Sequence, residues 1–518
     1  MELKTARRSG GRSRKSVRQS KKSIDQLEWG IPYNTDNFVE PLSEEGVNKV
    51  HNATMQVLEE IGIEFLNEEA KKVLSEAGCK VDRNSDNVKM DRSWVKEMIS
   101  KAPSEFEIFP RNINRSVKIG GRNMAFVNVS SPPNVMDLDR GRRVGDFESF
   151  KDLMKLTQYF NCIHLAGGYP VEPVDIHASV RHLDCLYEKL TLTDKVCHAY
   201  SLGSQRVEDA IEMAKIASGL NEDEFFSKPR IYTNINSSSP LKHDHPMLDG
   251  AMRFARKGQP VFVTPFTLAG AMAPVTMTGA VVQSLAEGLA AIALLQYINP
   301  GTPCVFGTFT SNVDMKSGAP AFGTPEYIRA TQITGQMTRY YGLPLRASNA
   351  CAANAPDGQA IWESLNSLWA ASTGGVNVVY HSAGWLEGGL IASYEKFVMD
   401  CEVLQQFQRY FDPVISDVSD DSLAVNAIKE VGPNGHFFGC DHTQERYTNA
   451  FYSPFLSDWR NYEAWEQDGA EWTHQRANKI WKDILKEFEA PKIDISVKDE
   501  LKSFVDRRKS EGGVKTDF

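Results

Sequence analysis

From residue 124 to 410, short apolar runs alternate with amphipathic stretches eight times, and that repeat leaves few folds open. The apolar runs cover 124–129, 162–166, 195–201, 230–235, 260–264, 303–308, 343–347 and 376–381. Helical periodicity follows each, near 147–159, 177–189, 206–218, 246–257, 276–298, 325–341, 357–371 and 391–410. Continuous apolar strands separated by helices pair in parallel, with both sheet faces covered. Eight such units predict an α/β fold of the closed (β/α)8 TIM-barrel type, typically about 250 residues long. An open doubly wound sheet would usually carry a glycine-rich turn after its first strand. Here Val129-Ser130-Ser131-Pro132-Pro133 stands at that place, so the barrel is preferred.

The flanks read differently. Residues 1–40 have no periodicity and begin with a basic stretch, Arg7, Arg8, Arg12, Arg14, Lys15, Arg18, Lys21 and Lys22 among Gly and Ser. Without an apolar core this is no secretory signal, and it is expected to be a solvated, disordered tail. Residues 41–120 predict a small α+β cap. Its first helix opens at Ser43, an N-cap residue, followed by Glu44 and Glu45. Residues 121–411 are assigned to the barrel, and 412–518 to a mostly helical, aromatic-rich extension expected to pack on the barrel or on a second subunit.

Bulk properties narrow the class further. A net charge of -9 argues against nucleic-acid binding. The eight cysteines form no C-x-x-C pair and lie scattered in apolar stretches, the pattern of reduced thiols in a cytoplasmic protein rather than of a disulfide or zinc framework. One stretch, 274–298, is apolar enough to imitate a membrane span. Gln283, Glu287 and Gln296 interrupt it, so a buried helix and no membrane association is the expectation.

Barrels of this type place their working residues at the C-terminal strand ends. Those positions are rich in small, aromatic and amide side chains and poor in charge, with no phosphate loop and no nucleophile elbow. Phe266, Phe309, Tyr380 and Trp385 form an aromatic set suited to a quaternary ammonium, whose charge is attracted to ring faces by about 0.5–2 kcal/mol each. Asn312 and Asn349 are further binding candidates, and Arg346 either holds a substrate carboxylate or pairs with a helix acid. His381 with Glu387 suggests acid–base work, and His243 with His245 a metal; structural hydrogen bonding is the competing reading for each, and no metal site is assigned.

Four stretches together resemble the trimethylamine:corrinoid methyltransferases, in particular the branch that lacks pyrrolysine and acts on glycine betaine. They are the opening helix from Ser43-Glu44-Glu45 to Glu59-Glu60-Ile61-Gly62, then Leu268-Ala269-Gly270-Ala271-Met272-Ala273-Pro274-Val275-Thr276, then Pro356-Asp357-Gly358-Gln359-Ala360, and last Gly432-Pro433-Asn434-Gly435-His436-Phe437 with His442-Thr443. The resemblance spans about 41 to 480 and implies a (β/α)8 barrel that passes a methyl group to Co(I) of a separate corrinoid protein. It implies no tightly bound cofactor, since the partner supplies the cobalamin, and a homo-oligomer is expected. Archaeal members carry pyrrolysine just before the proline of the third stretch, where this chain has roughly Asn354, the third candidate for a catalytic role.

Lacking that electrophile, the chain is expected to take a substrate already activated, a quaternary ammonium that leaves as a neutral amine. The remaining alternatives are demethylation of trimethylamine itself, a barrel that binds methylated amines without turnover, and an unrelated hydrolase or lyase using His381 and Glu387.

Overall fold

The computed structural model describes residues 24–82 and 84–516. Eight parallel strands form the barrel: β1 (Ala125–Phe126), β2 (Leu165–Ala166), β3 (Val196–Cys197), β4 (Thr233–Asn236), β5 (Val261–Thr264), β6 (Cys304–Gly307), β7 (Leu345–Ser348) and β8 (Val378–Tyr380). A six-stranded ladder runs β4-β5-β6-β7-β8-β1, and β2 pairs with β3. Parallel bridges Val127–Leu165 and His198–Tyr232 join these two pieces, so the sheet closes. The first three strands are shorter than the apolar runs suggest because side chains take over ladder positions. The Phe126 N–H donates to Nδ1 of His164 at 2.9 Å, Gly167 N–H to Oδ1 of Asn128 at 2.7 Å, and Asn234 N–H to Nε2 of His198 at 3.3 Å.

The eight helices follow in register: α1 (Phe147–Tyr159), α2 (Arg181–Leu192), α3 (Ser204–Ser218), α4 (His245–Arg256), α5 (Met277–Ile298), α6 (Pro325–Tyr341), α7 (Gly358–Gly374) and α8 (Tyr394–Tyr410). Asp146, Asp244, Thr324, Asp357 and Ser393 cap five of them through side-chain oxygens. Helix α5 is the membrane-like stretch. It is buried along most of its length, with the barrel on one side and cap helices Glu44–Gln56 and Arg92–Ile99 on the other. Being covered on two sides explains why it lacks a polar face.

The cap also contributes a hairpin, Glu105–Ile108 with Val117–Gly120. Its Ile108, Val117 and Ile119 pack with Val127, Leu165, Phe262 and Val305 inside the barrel and close its base. A second cap strand, Ile63–Phe65, pairs in parallel with Lys242–His243 from the β4–α4 loop, binding the cap to that loop.

One expectation for the flanks changes. Residues 24–40, read as part of a disordered tail, run along the barrel base. Ile24 is buried there, and Asn34 donates to the Ser372 carbonyl at 2.8 Å. Individual side-chain contacts order this segment, and these leave no periodicity to read. The basic residues Arg7 to Lys22 lie outside the described residues. In the C-terminal part, helix Thr473–Glu487 packs on α8 and α1, and helix Ile495–Ser510 packs on α2 and α3. Arg508 pairs there with buried Asp209 at 2.7 Å. Cysteines 162, 185, 197, 304, 351, 401 and 440 are buried free thiols.

Candidate active site

A cavity of about 400 Å³ opens at the C-terminal ends of the barrel strands. It is lined by Ser130 and Ser131 after β1, His198 and Tyr200 after β3, Asn234 and Asn236 of β4, Phe266 after β5 and Phe309 after β6. Arg346 of β7, Tyr380 at the end of β8, His381 just after it, and the rim Trp385, Gly388, Gly389 and Leu390 also line it. Among the described residues, no aspartate or glutamate lines it.

Arg346 is therefore the one formal charge in the lining at neutral pH. The side chain is 3% exposed, and its Nε and Nη1 have no hydrogen-bond partner. Burial lowers its pKa to about 10, still protonated at neutral pH, and the groups that oppose this shift are tyrosines, with no carboxylate among them. The guanidinium lies 4.5 Å over the Tyr380 ring and 5.6 Å from that of Phe309. Its Nη2 lies 3.4 Å from Nε2 of His381. Nδ1 of His381 accepts the Ser130 N–H at 3.2 Å, and burial next to Arg346 holds the ring's pKa well below its ordinary value. A neutral imidazole accepting at Nδ1 carries its proton on Nε2. Two donors thus face each other across 3.4 Å, an arrangement that calls for a shared acceptor between or beside them.

Around these donors the walls are aromatic. Phe309 lies 5.1 Å from Phe266 and 6.0 Å from Trp385, and the Trp385 and His381 rings lie tilted with centroids 4.1 Å apart. The rim is set from behind. Trp385 Nε1 donates to the Cys351 carbonyl at 3.2 Å, and the Gly384 N–H donates to Asp400 at 2.9 Å. Gly389 has a φ of 103°, and a Cβ there would run into the Trp385 indole, so the tight rim depends on glycine. His381 itself holds a φ of 54°, unusual for a residue with a Cβ.

Six of the sequence candidates, Phe266, Phe309, Arg346, Tyr380, His381 and Trp385, line one cavity. Tyr380 departs from the expected use: Arg346 covers its ring face, and its hydroxyl donates to Tyr232 at 2.8 Å. Four others lie away from the cavity. Asn349 is fully buried and donates to the Ser382 carbonyl at 2.9 Å, and Asn312 donates to the Val313 carbonyl at 3.2 Å. Each stands three residues beyond an inward side chain, Arg346 or Phe309, and in extended chain that spacing points to the opposite face. Glu387 turns away at a φ of 50° and pairs with Arg142 at 3.0 Å, which leaves His381 without an acidic partner in the lining. Asn354 is exposed on the loop before α7.

His243 and His245 do not converge as metal ligands would. His243 bonds the Glu287 carbonyl at 2.9 Å, and His245 meets Asn67 at 3.1 Å. Among the described residues no group of three or more His, Cys, Asp or Glu is gathered as for a metal.

The sequence pattern of the family described as trimethylamine methyltransferase (MTTB) matches residues 7–513. The chain belongs to the trimethylamine methyltransferase family. It is 37% identical to the glycine betaine methyltransferase of Desulfitobacterium hafniense (strain Y51), covering 91% of this chain and 98% of the relative. It is 28% identical to the trimethylamine methyltransferase MttB of Desulfitobacterium hafniense (strain DSM 10664 / DCB-2), covering 91% and 94%. Among solved structures, the monomethylamine methyltransferase MtmB of Methanosarcina barkeri superimposes with a TM-score of 0.51 at 10% identity, covering 90% of this chain and 88% of that one. That likeness supports the shared fold.

For this trimethylamine methyltransferase family member, sequence reasoning missed His198, Tyr200, Asn234 and Asn236 as lining residues. His198 and Tyr200 sit inside an apolar run, where they read as strand filler. Asn234 and Asn236 are two apart in β4 and share a face, a period-2 signal that marks them as a pair.

Proposed function

We propose that the enzyme demethylates a quaternary ammonium that also carries a carboxylate, a compound of the glycine betaine type, and passes the methyl group to Co(I) of a separate corrinoid protein. The observation that carries this reading is Arg346, a buried cation without a counter-ion in an acid-free aromatic cavity. Leaving a buried charge unpaired is costly, so the ligand is expected to bring the missing anion. Arg346 and the Nε2–H of His381 would hold the carboxylate through charge-assisted hydrogen bonds. The trimethylammonium would then rest among Phe266, Phe309, Trp385 and Tyr200, whose ring faces favour a cation and exclude water.

Charge also separates the alternatives. Protonated trimethylamine, or a quaternary ammonium without an acid group, would add a second positive charge beside Arg346 and leave it unpaired. The acceptor's Co(I) is itself a strong nucleophile, so no general base is needed on the protein. The departing nitrogen is already cationic, and the electron pair of the broken C–N bond neutralises it, so no general acid is needed either. What remains for the chain is to aim one N–CH3 bond at the open mouth and keep the site dry. The neutral, hydrogen-bonded His381 fits that task better than proton transfer.

Incubation with a reduced corrinoid protein and glycine betaine should consume Co(I) absorbance and yield dimethylglycine in equal amounts. Turnover of trimethylamine or choline at equal or higher efficiency would reject the carboxylate requirement. A lack of turnover with every methylated amine would reject the activity.

A further inference from the structure

Between the end of α8 and Tyr452 the chain makes an excursion, residues 413–451, that its own barrel does not cover. Only Ala427 and Cys440 are buried in it, while ten large apolar side chains stand exposed, from 45% for Phe437 to 86% for Phe451. Val418, Val425, Phe438 and Tyr447 are among them, at 76%, 65%, 82% and 66%. Its helices, Asp420–Leu423, Val425–Val431 and Asp441–Gln444, are too short to persist alone in water.

Among the described residues, the hydrogen bonds and ion pairs of residues 413–449 stay within 412–450, as in Arg446–Asp421 at 2.5 Å. Bonds to the rest of the chain begin at the edge of the excursion, where Arg409 donates to the Ala450 carbonyl at 3.3 Å and Tyr452 to Glu402 at 2.9 Å. The exposed apolar area is thus matched by no contact from the other described residues of this copy.

We propose that residues 413–451 form the main interface of a homodimer, laid against a second copy of this chain. Four of the ten are aromatic, of a type that buries about 150–250 Å² each, and with the six smaller aliphatic side chains the patch offers roughly 1,000 Å², against the ~800 Å² per partner of a stable complex. An isologous pair contributes the same patch twice. So apolar a surface suits a permanent partner, and a second copy is always present in equal amount.

The location agrees. Helix α8 ends at the barrel base, where Gln408 donates to the Glu28 carbonyl at 2.8 Å and Tyr410 to Asp36 at 2.9 Å. The cavity opens at the opposite end, so a methyl acceptor seated there would leave the excursion bare, and a dimer through it would leave the mouth free.

Sedimentation velocity on the full chain, beside the double variant Phe438→Asp/Phe451→Asp, tests this. The wild type should sediment as a dimer or a multiple of one at micromolar concentration, and the variant as a monomer with unchanged circular dichroism. A monomeric wild type, or a folded variant that assembles like wild type, would overturn it. Should the variant fail to fold, hydrogen exchange on the wild type decides: protection over 420–447 should fall on dilution as the dimer dissociates. Protection that ignores dilution would equally overturn the interface. Neither readout depends on which amine the cavity takes.

Discussion

Lys396 on α8 and Arg346 on β7 are both buried cations, and only one has been given a counter-charge. Lys396 is fully buried and pairs with the equally buried Asp400 at 2.5 Å, with Ser364 accepting a further bond at 2.7 Å. Asp400 in turn accepts the Gly384 N–H, so this pair fixes the turn that carries the cavity rim. Arg346 has aromatic faces and a neutral histidine, and no carboxylate. The pair behind the rim is balanced while Arg346 inside it is not, and that contrast marks where a ligand is expected to complete the structure.

The contrast can be broken at either end. Asp400→Ala strands Lys396 without its partner and should cost about 3–5 kcal/mol of folding stability, the scale of a broken buried pair. Urea denaturation would read this, and a loss below 1 kcal/mol would mean the pair is not structural. Arg346→Leu should do the opposite. Turnover of a betaine should drop about 100-fold, roughly 2.7 kcal/mol, while the denaturation midpoint holds or rises, because no partner is left behind. A large loss of stability in Arg346→Leu would place that residue with the scaffold.

Smaller effects sharpen the picture. Trp385→Leu removes one ring of the proposed ammonium site, worth about 0.5–2 kcal/mol. It should raise KM about tenfold with little change in kcat if the ring acts in binding alone, and steady-state kinetics separates the two.

His381 gives the smallest effect. Its pKa is depressed in the folded protein by burial and by Arg346, so it stays neutral while the unfolded chain takes up a proton near 6.5. The unfolded state therefore binds more protons below that pH, and stability falls as pH drops. At pH 5.5 the wild type should lose about 1.4 kcal/mol more than His381→Gln relative to pH 7.5, measured by paired urea titrations. Betaine affinity should stay flat from pH 7 to 9, since neither His381 nor Arg346 changes charge there.

Much of the fold is legible because the barrel writes itself locally. The runs ending at Thr264 and Gly307 are apolar throughout, and the α6 boundaries follow from Thr324, Pro325 and Gly342. What stays hidden depends on distant partners. Nothing in Lys242-His243 announces that it will pair with Ile63–Phe65, and nothing in 24–40 signals packing under the barrel. The site divides along the same line. Residue type and strand-end position bring out Phe309, Arg346 and Trp385. The facing of Asn312 and Asn349 depends on strand phase, and the ring face of Tyr380 is lost to Arg346, a neighbour one strand away.

The charge of the ligand decides whether Arg346 selects it, and calorimetry with two ligands and two proteins measures this. Glycine betaine should bind the wild type and lose most of its affinity for Arg346→Leu, while choline should bind the variant better than the wild type. Betaine affinity that survives Arg346→Leu, or choline binding that ignores the substitution, would contradict the claim that this cation selects the substrate.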